Sequence, residues 1–152
     1  MEVVQRRSVL AADRFDYADA FEVSLRENDT RSAEEMVRAG VDGMPTLLGV
    51  IVLFAHRYVL RLDLAPLSAP NHLLGWEIIA RDHDAIRLRA TGPLFKGLLV
   101  ASRLSPSTAM LETFVAFRRP GLARPIWTTV APIHRAVVPI LLRKAVTACG
   151  AR

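Results

Sequence analysis

From His72 to Arg119 the sequence keeps a period of two, and no other feature constrains the fold as strongly. Apolar and polar residues alternate through four runs, His72–Asp84, Ala85–Gly92, Phe95–Ser105 and Thr108–Arg119. Successive side chains of a strand point to opposite faces, so each run reads as a strand. The links Asp82-His83-Asp84, Gly92-Pro93 and Ser105-Pro106-Ser107 are short enough for an antiparallel meander. Upstream, Asp16–Leu25 sets Phe21, Val23 and Leu25 against Glu22, Ser24 and Arg26, which predicts one more strand. After Pro120-Gly121 the period lengthens to that of a helix, which is expected to run to about Cys149.

Two shorter helices are predicted between the first strand and the meander. Ser32 with Glu35 three residues on forms a capping box, and Gly40 supplies a stop. Pro45 suits the first turn of the second helix, where its missing N–H has no intrahelical partner. Residues 46 to about 60 are apolar nearly all round, so that helix is expected to be buried on most sides. Leu60–Leu64 alternates like a strand, and Ala65–Asn71, with its prolines, reads as a loop. The resulting α+β order requires the long last helix to bury its apolar stripe on the sheet.

With 152 residues the chain is expected to be a single domain, 1–152. Its 51% apolar content excludes a disordered chain. The single cysteine, Cys149, excludes an intrachain disulfide and points to the cytoplasm. The apolar run Val9–Ala12 is too short for a signal peptide, and Leu47–Ala55 falls short of the ~20 residues of a membrane span. Residues 1–84 hold nine Arg and fourteen acids, whereas residues 85–152 hold eleven Lys/Arg and one acid, Glu112. The basic half could face an anionic partner or simply be solvated. With no phosphate loop and no basic cluster interleaved with aromatics, nucleic acid is not an expected partner. The four histidines, His56, His72, His83 and His134, lack metal-ligand spacing, and no nucleotide fingerprint or nucleophile elbow occurs. Neither metal nor cofactor is therefore expected.

Chemistry concentrates on the last helix. At 100° per residue, His134 stands in the middle of a stripe with Trp127, Val130, Val137, Val138, Leu141 and Ala145. Pro132 and Pro139 fall near the opposite side, where they are expected to curve the helix over the sheet. His134 is either a core histidine bonded to a strand residue (Thr113, Glu77, Glu112 or Ser102) or a group facing a pocket. In a pocket it would contact a ligand or act as a general acid/base, with Glu112 as the candidate carboxylate. Glu112 could instead pair across strands with Arg103. Trp76, Met110, Trp127 and His134 are the candidate ligand-binding residues. Both strand faces carry apolar residues, so one helix would leave a patch exposed, which predicts a homodimer or partner surface.

The segments Leu73–Ile79, Thr113–Trp127 and Ala131–Ala145 resemble the DUF2867 family, a bacterial family of unknown function. More broadly the element order resembles the helix-grip fold of the START, birch-pollen-allergen and polyketide-cyclase-like proteins (SRPBCC). The resemblance spans about residues 16 to 148 and implies a small hydrophobic ligand held between sheet and last helix. It also allows a cyclase- or hydratase-like enzyme using His134. A third role is an accessory subunit docking on a Rossmann-type partner, since the family also occurs attached to such domains. This chain carries no such domain, so roles requiring one in cis are not expected.

Overall fold

Alternation along the strands resolves into one sheet in the computed structural model, which describes residues 2–6 and 14–148. Seven antiparallel strands take the order β1-β2-β7-β6-β5-β4-β3. They are β1 (Val3–Arg6), β2 (Tyr17–Ser24), β3 (His72–Leu73), β4 (Trp76–Arg81), β5 (Ala85–Thr91), β6 (Phe95–Ser105) and β7 (Thr108–Phe117). The helices are α1 (Ala33–Asp42), α2 (Thr46–Phe54), which continues as a π turn (Ala55–Val59), and α3 (Pro120–Thr147). The architecture is α+β, an open antiparallel sheet with a long C-terminal helix. Cys149 and the run Val9–Ala12 lie outside the described residues.

The meander keeps the predicted strands, with register shifts at Ile78/Ala80 and Arg103/Ser105 and a turn inside its first run. His72–Asp84 is not a single strand: Leu74 (φ 53°) and Gly75 (φ 81°) form a two-residue turn between Leu73 and Trp76. Both central residues have left-handed φ, the backbone that matches the twist of a tight hairpin. The first strand gains β1 as an edge partner, with Val3 opposite Val23. Leu60–Leu64 forms no strand.

Ser32 caps α1 in a complete capping box, its Oγ accepting from Glu35 N while Glu35 accepts from Ser32 N. Gly40 does not end this helix, which continues to Asp42. It allows close packing instead, because a Cβ there would lie 2.8 Å from the Leu141 carbonyl oxygen of α3. The loop before α1 is pinned to β6, where Arg103 donates to the carbonyls of Asp29 and Arg31. Hydrogen bonds from Arg31 hold the buried Asp29 carboxyl below its ordinary range.

The second helix departs furthest from expectation. None of its residues is fully buried, and Leu47, Phe54 and Tyr58 are 72%, 58% and 63% exposed. A helix apolar all round can bury only the side that meets the rest of the fold, and here the other side meets solvent. The outer sheet face is the reverse case. Val100, Met110 and Phe114 are buried there, with Phe15 stacked on Phe114 at a ring distance of 5.1 Å. The largest group of exposed apolar residues thus lies on α2 and its π turn, and the centre of the sheet is covered.

Helix α3 begins with Pro120 at its first position and runs through Pro125, Pro132 and Pro139. The seven-residue spacing of these three keeps them on one side, drifting ~20° per step. Trp127, Val138, Leu142 and Val146 are buried beneath it. It has the length and apolarity of a membrane span, and 22% of that apolar stretch is buried in the fold.

Candidate functional site

The site is built on the pairing of β2 with β7. Asp19 stands opposite Thr113, Phe21 opposite Leu111 and Tyr17 opposite Val115, so these side chains share the face that looks toward α3. Asp19 is thus an acid on an apolar face, and it is buried. The Tyr17 hydroxyl donates to Asp19 Oδ2 at 2.6 Å. His134 Nε2, coming down from α3, lies 3.0 Å from the same oxygen. Its N–H is not in line for a regular hydrogen bond, so the contact is electrostatic more than directional. A carboxylate beside Nε2 favours the tautomer with its proton there and leaves Nδ1 with a lone pair.

Aromatic packing fixes the ring. Trp127 lies 5.8 Å from the His134 ring and 4.9 Å from Tyr17, centroid to centroid. The Arg135 guanidinium sits over the outer face of Tyr17 at 5.8 Å. Burial, then the adjacent Asp19, push the Tyr17 hydroxyl far above its ordinary pKa, so it stays a donor.

Between this cluster and α2 lies a cavity of about 130 Å³. Its walls are mostly carbon, from Val52, Leu62, Phe95, Leu111 and Val138 among others. The lining residues that carry a polar side-chain atom are Thr113, Trp76, Trp127, His134 and His56. Thr113 Oγ1, Trp127 Nε1 and Asp19 Oδ1 are buried without a hydrogen-bond partner. Native interiors rarely leave such groups unpaired, because each costs ~1–3 kcal/mol.

His56 faces the cavity from the opposite wall. Trp76 Nε1 donates to its Nδ1 at 3.3 Å, which places the ring proton on Nε2. Burial, then the nearby His134, lower its pKa to about 4, so the ring is neutral at neutral pH. Trp76 reaches this position by lying over Gly97, where an added Cβ would stand 2.6 Å from the indole Cη2.

Of the residues expected from sequence, Trp76, Trp127 and His134 line the cavity and Met110 does not. Glu112 is not the carboxylate beside His134, because it alternates with Thr113 and lies on the other sheet face, opposite Ala20 and Val100. Nor do Glu112 and Arg103 share a face: Arg103 stands opposite Ala109 and reaches the loop before α1. Asp19, Tyr17 and His56 are new to the site. Carrying the alternation of Phe21, Val23 and Leu25 back two steps would have reached Asp19 and Tyr17. For His56 the sequence holds no such signal, since its aim depends on the π turn. Among the described residues no group of three His, Cys, Asp or Glu could hold a metal ion. No protein-family model matches this chain, and no curated protein or solved structure matches it either.

Proposed function

We propose that this chain binds a small, mostly apolar molecule carrying one polar group, within a helix-grip fold related to the DUF2867 and START-like proteins. One observation carries the reading: a carbon-walled cavity of about 130 Å³ is lined by Thr113, Trp127 and His134, and Thr113 Oγ1 and Trp127 Nε1 are buried and unpaired. A hydroxyl or carbonyl on the ligand would pair with one of them once the side chains covering it shift, accepting from the indole or exchanging a hydrogen bond with the threonine. The volume of about 130 Å³ limits the enclosed part of the ligand. A dry engineered cavity of ~150 Å³ takes benzene, so one ring or a short chain is the expected fit.

Native mass spectrometry of the purified protein tests this, together with displacement of a one-ring probe, fluorobenzene, followed by its fluorine NMR signal, by small phenols and ketones. Binding that weakens roughly tenfold in Thr113→Val or Trp127→Phe, about 1.4 kcal/mol, is the expected result. Equal affinity for these ligands and for their hydrocarbon analogues would overturn it.

The contact between His134 and Asp19 favours a second reading, a cyclase- or hydratase-like enzyme with His134 as general acid/base. Asp19 then takes the orienting role expected of Glu112. Slow chemical conversion of a bound ligand, lost in His134→Gln with binding retained, would separate catalysis from carriage.

A further inference from the structure

The outward side of α2 repeats apolar residues at helical spacing. Leu47, Val50, Ile51, Phe54 and Tyr58 follow i, i+3, i+4, i+7 and i+11, and all are exposed. The inward side, with Val52 and Ala55, lines the cavity. Ile51 on α2 and Ile133 on α3 do both: each lines the cavity and each is about half exposed, at 45% and 53%. The cavity therefore opens between these two residues, onto the apolar stripe.

Charge around the stripe is mostly basic, with Asp42 and Asp63 the exposed acids next to its two ends in sequence. Arg57 is exposed on the π turn at one end, and Lys144 lies beside Gly43 at the other, its Cβ 3.2 Å from where a glycine Cβ would be. Every charged residue of α3 is basic and exposed: Arg124, Arg135, Arg143 and Lys144.

We propose that the outward face of α2 docks on an anionic lipid surface, with the mouth of the cavity turned toward the bilayer. An apolar helix face bordered by cations is the pattern of interfacial binding, where hydrocarbon enters the headgroup boundary and Lys/Arg meet lipid charge. A second copy of the chain fits less well, because facing stripes would bring like-charged borders together. The orientation of the mouth rests on the cavity reading above: an apolar ligand would pass from bilayer to protein without crossing water. The docking itself does not rest on it.

Flotation with phosphatidylcholine vesicles, with and without phosphatidylglycerol, tests the docking. The full chain is expected to float with the anionic vesicles, and less so as salt rises. Val50→Ser with Phe54→Ser, two exposed residues of the stripe that do not line the cavity, should abolish flotation, and Arg57→Glu or Lys144→Glu should weaken it by roughly fivefold or more each. All four residues are exposed or half exposed, so the variants are expected to fold; circular dichroism checks this. Uptake of fluorobenzene without lipid should be unchanged in the variants. Failure to float, or equal flotation of wild type and the serine variant, overturns the docking. So does dissociation of a wild-type dimer by the serine variant in analytical ultracentrifugation. Loss of probe uptake with intact flotation would instead remove the cavity reading and leave the docking standing.

Discussion

His134 and Asp19 meet at 3.0 Å although one belongs to the last helix and the other to a strand near the start of the chain. The carboxylate also takes the Tyr17 hydroxyl, so a single oxygen, Oδ2, joins β2 to α3. Asp19→Ala and His134→Ala are each expected to cost about 1–3 kcal/mol in urea unfolding, since each leaves a buried polar group short of a partner. The double variant should show a coupling of about 1 kcal/mol or more. Additivity within ~0.3–0.5 kcal/mol would mean that the contact carries no energy.

A pH dependence follows from His56. Its pKa in the folded protein falls to about 4, against ~6.5 in an unfolded chain. Between these values the unfolded state binds the additional proton, so stability is fully present above pH ~6.5 and declines as pH falls toward 4. One proton gives a slope of at most ~1.4 kcal/mol per pH unit. Denaturant unfolding of wild type and His56→Gln across that window measures it. An unchanged slope in the variant would assign the effect elsewhere.

Tyr17 acts at the other end of the scale. Its raised pKa means that the folded protein keeps the phenol proton longer than the unfolded chain does. That contribution is present below pH ~10 and is lost as pH rises further. Ultraviolet absorbance of a Tyr58→Phe variant follows Tyr17 alone, because these are the two tyrosines. Ionisation of Tyr17 near pH 10 while the fold persists would contradict the buried donor.

Gly97 carries a packing prediction. Because Trp76 lies across it, Gly97→Ala forces the indole off its place and strains its bond to His56. Overpacking of this kind costs about 1–3 kcal/mol. Thermal unfolding gives the loss, and altered tryptophan emission reports the displaced ring.

The prolines of α3 predict a trade between stability and binding. Pro132→Ala and Pro139→Ala each restore a backbone donor and remove a ring that crowds the carbonyl four residues back, which is worth up to ~3 kcal/mol in a regular helix. The thermal midpoint is expected to rise while probe uptake falls, because a relaxed α3 closes on the sheet. A higher midpoint with unchanged uptake would separate the prolines from the cavity.

Elements set by local chemistry were legible in the sequence. The alternation of β5, β6 and β7, the Ser32–Glu35 box and the apolar face around Trp127 and His134 each need only neighbours in the chain. Those decided by distant packing were not. Gly40 looked like a stop because its contact, the Leu141 carbonyl, lies on another helix. Leu74-Gly75 was hidden inside a run of strand formers, and turn signals such as Asn-Gly were missing. The acid beside His134 was sought on the meander, yet pairing of β2 with β7 supplied Asp19. Exposure of α2 could not be read from an apolar run, since composition does not say which side meets water.

The bonding of β2 to β7 also governs how the molecule is made. Tyr17 pairs with Val115, so on the ribosome the early strand waits for nearly all of the chain before its neighbour emerges. Such a closure, joining distant segments, favours slow folding after synthesis over stepwise folding during it. Until then the inner edge of the early strand stays open, and a truncated product ending before residue 108 would have no strand to close it.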